Sequence, residues 1–305
     1  MDKIIITTGD PNGIGAEITM KALKALNLPK EKIAIISNKK ILNYYGKLDK
    51  NYEIIEIPYN ENDIKAGQVT KKAGEFSFQS LKLACELKPK AIVTAPVAKN
   101  ALHLAGHNFN GQTEVLQHFL AHDNQLAEML FVANGFRVLL LTRHCALKEI
   151  TLTQDVVVTK IKNLVKTFQK QFGINKPKFA LCGFNPHSGE DGILGREEID
   201  ILIPAVQELQ NAGIDITMPL PADTLFVDAA KNYLKNTKDK YDCYIANYHD
   251  QGLIPIKTVA GENTVNMTIG LDIVRTSPGH GTAFDIAGKN IASPNGMIAA
   301  IKEVL

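Results

Sequence analysis

Tryptophan is absent, and only four arginines occur, at positions 137, 143, 196 and 275. Lys and Arg together number 34 against 32 Asp and Glu, a formal net charge of +2. A chain so balanced lacks the concentrated positive face of a nucleic-acid binder. Its lysine-rich stretch from Lys160 to Lys170 reads as the wet side of a helix. No uninterrupted apolar run exceeds five residues, whereas a membrane span needs about 20. The opening Met1-Asp2-Lys3-Ile4-Ile5-Ile6 turns polar at once and does not read as a secretion signal. The four cysteines (Cys85, Cys145, Cys182, Cys243) lie far apart with no C-x-x-C, which argues against thiolate zinc and disulfides. Free buried thiols in a reducing cytoplasm are expected.

With 305 residues, 45% apolar and 22% charged, the chain has the make-up of one large or two smaller globular units. Short β-branched runs (Lys3–Thr8, Ile33–Ser37, Tyr52–Ile57, Ala91–Ala95, Lys178–Cys182, Asp242–Asn247) alternate with longer amphipathic stretches. The latter predict helices over Ala16–Leu26, Lys71–Leu87, Glu114–Leu120, Val156–Phe172, Glu197–Asn211 and Ala229–Thr237. Gly173 and Gly213 stand where helix ends need a left-handed residue. Such alternation predicts an α/β fold with a mostly parallel sheet and helices on both faces. One segment departs from it: Glu128–Ala133 and Phe136–Thr142 are apolar runs joined by Asn134-Gly135, a strong hairpin signal. The hairpin suggests either a second lobe or an arm that pairs with another subunit.

The eight histidines separate into groups. His103/His107 and His118/His122 have helical spacing but lack the Glu of H-E-x-x-H, and Gly106 interrupts the first pair; both pairs read as ordinary partly buried histidines. His144, His187 and His249 share another setting, each a few residues beyond a predicted strand. In open α/β sheets ligands bind outside the carboxyl ends of strands. Three converging imidazoles suit a borderline divalent metal with open positions for substrate; the alternative is three unrelated loop residues. Asp223, in Pro221-Ala222-Asp223-Thr224, and Asp250 beside His249 are candidate carboxylates to orient such ligands, with helix capping the alternative for Asp223.

The first predicted strand runs into Gly9-Asp10-Pro11-Asn12-Gly13-Ile14-Gly15-Ala16-Glu17. This is not a P-loop, and Ile18 stands where a Rossmann fingerprint needs its third glycine. The turn serves either a ligand or the backbone alone. Arg275 precedes Thr276-Ser277-Pro278-Gly279-His280-Gly281-Thr282-Ala283, and its fork matches a phosphate or carboxylate. Lys257, on a predicted strand after the His249 loop, offers a second cation or a proton carrier.

Together these segments, with Ala95–Lys99, Gly111–Glu114, Asn185–Glu190, Pro221–Phe226 and Tyr248–Gly252, resemble the 4-hydroxythreonine-4-phosphate dehydrogenases of vitamin B6 biosynthesis over nearly the whole chain. The stretch from Arg275 to Gly288 also resembles the cofactor loop of the wider isocitrate and isopropylmalate dehydrogenase superfamily. The resemblance implies a two-lobed, non-Rossmann α/β/α sandwich, with lobe one from 1–105 and 245–305 and lobe two, carrying dimerisation elements, from 106–244. It implies a cytoplasmic homodimer with shared active sites, a small phosphorylated amino-acid substrate, NAD or NADP, and one divalent metal (Zn, Mg or Co) per site. Carried over by motif, His144, His187 and His249 hold the metal, drawn from both subunits. Gln112, Thr113, Lys257, Asn266 and Arg275 contact substrate, and Lys257, Asp223 and Asp250 are catalytic or support the site. Gly279, His280, Gly281, Thr282, Ala283 and Asp285 bind the cofactor. The family often has His where this chain has Gln112, which donates a hydrogen bond without carrying charge. A sister dehydrogenase acting on phosphorylated D-threonate or erythronate would share these motifs.

Overall fold

The computed structural model describes residues 2–122 and 125–305. The chain divides into two compact units, one running through Ala127 and resuming as Val265–Leu305, the other Glu128–Thr264. Residues 106–127 and 245–264 therefore belong to the opposite units from those expected. The reason is local: Gln112–Leu120 contributes a helix to the first sheet, and 245–264 completes a strand and helix of the second.

The first unit comprises β1 (Ile4–Thr7), α1 (Gly15–Leu26), β2 (Ile33–Ser37), α2 (Lys39–Tyr45), β3 (Glu53–Glu56), α3 (Lys71–Glu86), β4 (Ala91–Thr94), α4 (Lys99–Leu104) and α5 (Gln112–Leu120). The second comprises β5 (Glu128–Ala133), β6 (Phe136–Leu140), α6 (Gln154–Gln171), β7 (Lys178–Leu181), α7 (Ile203–Asn211), β8 (Asp215–Ile216), α8 (Ala222–Lys235), β9 (Cys243–Ala246) and α9 (His249–Ala260). The chain then returns through β10 (Val265–Ile269), β11 (Val274–Pro278) and α10 (Asn295–Lys302).

In the first unit the strands lie in the order β3-β2-β1-β4-β11-β10, all parallel except β10 against β11. Alternation sorts their side chains to two faces. Ile4, Ile6, Ile33, Ile35 and Val93 pack with Ile18, Leu23, Met297 and Ile301 of α1 and α10. Ile5, Ala34, Ile36 and Ile92 pack with Ala84, Leu116 and Leu120 of α3 and α5. Near-continuous apolar strands covered on both sides are what a parallel sheet requires.

The second unit has the order β5-β6-β9-β7-β8, antiparallel only between β5 and β6. Val138, Leu140, Ala180, Tyr244 and Ala246 meet Phe226, Leu253 and Ile256 of α8 and α9, while Phe168 of α6 packs edge-on against Phe179, ring centroids 5.4 Å apart. Asn134 and Gly135 turn the hairpin with φ of 44° and 88°, the positive pair a tight two-residue turn needs. This hairpin is no free arm, because β6 pairs in parallel with β9 inside its own unit.

Three further expectations need correction. Lys257 lies on a helix, α9, and not on a strand. Pro255 in its middle disguised the pattern, yet Leu253, Ile256 and Ala260 are buried while Ile254 is exposed, the helical period. Helix α8 begins at Ala222, so Asp223 stands inside its first turn and does not precede it. Cys145 is exposed, unlike the buried Cys85, Cys182 and Cys243, because it follows β6 in an irregular loop. Among the described residues no helix is long and apolar enough to cross a membrane.

Candidate active site

Strand order reverses between β1 and β4, and at such a switch point the carboxyl ends of the strands open a place for ligand. Two loops meet there. Gly9 takes φ +69°, and a Cβ on it would stand 2.3 Å from the Pro96 carbonyl oxygen, so glycine alone permits the approach. The Asp10 amide then donates to that oxygen at 3.0 Å. The Asp10 carboxylate, wholly buried, accepts from the Asn12 amide at 2.8 Å through Oδ1 and leaves Oδ2 without a partner. Burial pushes its pKa up to about 6 against the pull of the Asn12 and Ala98 amides. An acid raised in the folded state binds more protons than in the unfolded one, so its contribution weakens folding as pH rises from about 4 to 6. Asp10→Asn is expected to remove that slope, roughly 3 kcal/mol in full. Urea unfolding across that range checks this: a slope identical in both proteins would contradict it.

Arg275 stands on β11 opposite Ile92 of β4 and Thr268 of β10, and is 2% exposed. Its Nε and one terminal nitrogen donate to Thr94 Oγ1 at 2.8 and 2.6 Å, the other terminal nitrogen to Thr268 Oγ1 at 3.5 Å. Among the described residues no carboxylate forms an ion pair with it. Desolvation pushes its pKa down to about 9, opposed by the charge of Glu114. A buried guanidinium satisfied only by hydroxyls still lacks its counter-charge. Nearby, α5 starts at Gln112 with no side chain capping its first amides, an arrangement that favours an anion. Thr113 is buried in that first turn. Gln112 spends its amide nitrogen on the Ala95 carbonyl at 3.3 Å, leaving its buried oxygen unpartnered. Asn266 of β10 likewise has a buried, unpartnered Oδ1. Thr94, which sequence reasoning missed, is the residue that aims Arg275; a threonine ending a β-branched strand carries no signal of such a role.

His144, His187 and His249 belong to the second unit. The rings of His144 and His249 lie 5.7 Å apart, centroid to centroid. His249 opens α9, and its Nδ1 meets Asp250 Oδ1 at 2.7 Å. That contact leaves Nε2 as the outward nitrogen. Fasteners hold both loops: Thr142 Oγ1 donates to the Asn247 carbonyl at 2.7 Å, Asn247 Nδ2 to the Cys182 carbonyl at 2.8 Å, and Gln251 Nε2 to the Gly183 carbonyl at 2.7 Å. Thus the ends of β6, β9 and β7 are tied together. Asn247 and Gln251 flank the expected His249 without having been singled out; two amides bracketing a histidine after a strand were the available signal.

His187 is exposed in the loop after β7, in an unusual backbone. His187, Ser188, Gly189, Glu190 and Asp191 all have positive φ, from 43° to 82°. Left-handed geometry costs about 1–2 kcal/mol for each non-glycine residue, and persists only where the surroundings enforce it. Among the described residues no group of three or more His, Cys, Asp or Glu is gathered closely enough to hold a metal. The structure thus sets His144 beside His249 and His249 against Asp250, and among the described residues it gathers no metal-holding group that includes His187. Asp223 is exposed on α8, its carboxylate accepting from the Thr224 amide at 2.9 Å. Lys257, also exposed, sits about 12 Å along the α9 axis from His249.

The chemistry of the His144 and His249 donors suits a divalent cation. Their rings, with centroids 5.7 Å apart, would supply two imidazole nitrogens of the kind that zinc takes. The loop 279–285 suits a nucleotide by its donor set. The Thr282 carbonyl accepts from the Ile14 amide at 3.0 Å, holding the loop to the turn after β1. A Cβ on Gly281 would meet nothing within 4 Å, and Asp285 is exposed. An exposed carboxylate beside an unobstructed glycine is the kind of group that ribose hydroxyls and phosphates use.

The known proteins that this chain resembles over its whole length make it a dehydrogenase, an oxidoreductase. Its structure is similar over its whole length to 98% of a 4-hydroxythreonine-4-phosphate dehydrogenase from Klebsiella pneumoniae, with 33% identity and a TM-score of 0.85. An isocitrate dehydrogenase from Methylococcus capsulatus, at 14% identity and a TM-score of 0.53, shares the fold. The chain belongs to the family of the pyridoxal phosphate biosynthetic protein PdxA, whose model matches residues 3–304. It is 37% identical to 4-hydroxythreonine-4-phosphate dehydrogenase of Sulfurihydrogenibium sp. (strain YO3AOP1), covering 99% of this chain and 97% of that one. It is 38% identical to D-threonate 4-phosphate dehydrogenase of Salmonella typhimurium (strain LT2), over 98% and 97% respectively.

Proposed function

We propose that this chain oxidises 4-phosphooxy-L-threonine at C3 with NAD or NADP, giving 2-amino-3-oxo-4-phosphooxybutanoate. That product loses CO2 to become 3-amino-2-oxopropyl phosphate, in the biosynthesis of pyridoxine 5′-phosphate. The observation that carries the reading is Arg275, a buried cation lacking its counter-charge, beside the uncapped start of α5. A substrate phosphate supplies that charge, with Thr113, Gln112 and Asn266 as neutral partners.

His144, His187 and His249 would hold a divalent cation (Zn, Mg or Co), in a homodimer whose active sites draw these histidines from both protomers. When bound, the cation supplies Lewis acidity at the C3 hydroxyl. Asp250 holds the His249 ring through Nδ1 so that Nε2 stays available. Lys257, or Asp223 or Asp250, accepts the hydroxyl proton. Gly279–Ala283 and Asp285 position the nicotinamide nucleotide, so that the hydride leaving C3 has an aligned acceptor.

The near-equal identities to the two named dehydrogenases favour one second reading, oxidation of D-threonate 4-phosphate. Steady-state rates of nicotinamide reduction with both substrates decide. A higher kcat/KM for 4-phosphooxy-L-threonine is expected; faster turnover of the acid without the amino group would overturn the assignment.

A further inference from the structure

In the left-handed run that carries His187, the side chains of His187, Glu190 and Asp191 are exposed. What lies beneath it is a carboxylate. Glu198, 2% exposed, accepts from the Asn185 amide at 2.7 Å through Oε1 and from Asn185 Nδ2 at 3.0 Å through Oε2. The same Nδ2 donates to Glu197 at 2.6 Å. Two glycines make room for this clasp. A Cβ on Gly189 would stand 2.7 Å from Glu198 Oε2, and one on Gly195 would stand 2.4 Å from Asn185 Nδ2. Downstream, the Leu194 amide closes back on the Gly189 carbonyl at 3.0 Å.

We propose that Glu198 is a positioning residue: by clasping Asn185 it fixes the backbone run 187–191 and so the direction in which His187 is presented. The proposal rests on the reading of His187 as a metal ligand. Glu198 touches neither metal nor substrate and acts through His187 alone. A carboxylate gripping the residue two before a ligand does for the backbone what an outer-shell hydrogen bond does for a ring, and losing such support costs about 10–100-fold in metal affinity.

The test titrates Co2+ into the metal-free full chain, read by the visible absorption of the imidazole-bound ion, with unfolding followed separately. Glu198→Gln, which reverses one hydrogen-bonding edge of the clasp, is expected to weaken Co2+ binding about 10–100-fold. Asn185→Ala, which keeps the backbone half of the clasp, is a second variant should Glu198→Gln fail to fold, and weakens binding less in the same direction. In a His187→Ala background Glu198→Gln is expected to add nothing, because the two act as one unit. Wild-type affinity in both clasp variants, or an equal loss in the His187→Ala background, overturns the positioning role while leaving the metal reading intact. Unchanged Co2+ affinity in His187→Ala alone overturns the metal reading and the proposal with it.

Discussion

His249→Ala is expected to lower kcat/KM by about 10³-fold or more, roughly 4 kcal/mol of transition-state stabilisation, with the fold retained. The ring is half-buried at the first residue of α9 and makes one internal polar contact, to its neighbour Asp250. Truncating it therefore leaves no buried group stranded, and the unfolding midpoint is expected to move by little. Its chemistry, however, has no substitute, because only His144 and His187 of the proposed trio would remain to hold the cation. Asp250→Asn is expected to be milder, about 10–100-fold, since it weakens the orientation of the ring and not its ligation. Full activity in His249→Ala would show that the paired rings of His144 and His249 are incidental.

Arg275→Met is expected to produce two changes of opposite value. KM for the phosphorylated substrate rises about 100-fold or more, because hydrogen bonds to charged groups are each worth about 1.5–3 kcal/mol. The ligand-free protein, by contrast, becomes more stable, by about 1–4 kcal/mol, as found when buried charges give way to apolar groups of similar size. Among the described residues the hydrogen bonds of Arg275 go to the hydroxyls of Thr94 and Thr268, which do not replace a counter-ion. Such instability is what a site built for an anion entails. Kinetics and thermal unfolding of the same preparation check both halves. A variant less stable than wild type would show that the guanidinium is structural; an equal rise in KM for substrate and nucleotide would show that it does not read the phosphate.

The sheet was legible in the sequence wherever strands are buried on both faces. Ile33–Ser37 matches β2 at both ends, and Asn134-Gly135 fixed the hairpin, because period and turn chemistry are local. The antiparallel pair β10 and β11 escaped notice: Val265–Ile269 interleaves Asn266 and Thr268 among apolar residues, and Arg275 sits in the middle of its partner. Polar residues there, the candidate substrate contacts Asn266 and Arg275 among them, break the pattern that announces a strand. Helix α9 was misread for a similar reason, Pro255 standing inside it. Of the candidate site, the histidines and Arg275 stand out by motif and setting. What could not be read was how they are held. Thr94 under Arg275, Asn247 bridging to Cys182, and Glu198 under the left-handed run all act across long separations, which no spacing rule records.

The claim on which the rest depends is that imidazoles remote in sequence share one cation. A crystal structure grown with Zn2+, with diffraction data collected at the zinc absorption edge, tests it most directly. The account predicts one anomalous peak per active site, about 2.0–2.1 Å from ring nitrogens of His144, His187 and His249, counting both protomers of a dimer. A peak that lacks any one of these rings within bonding distance would contradict it.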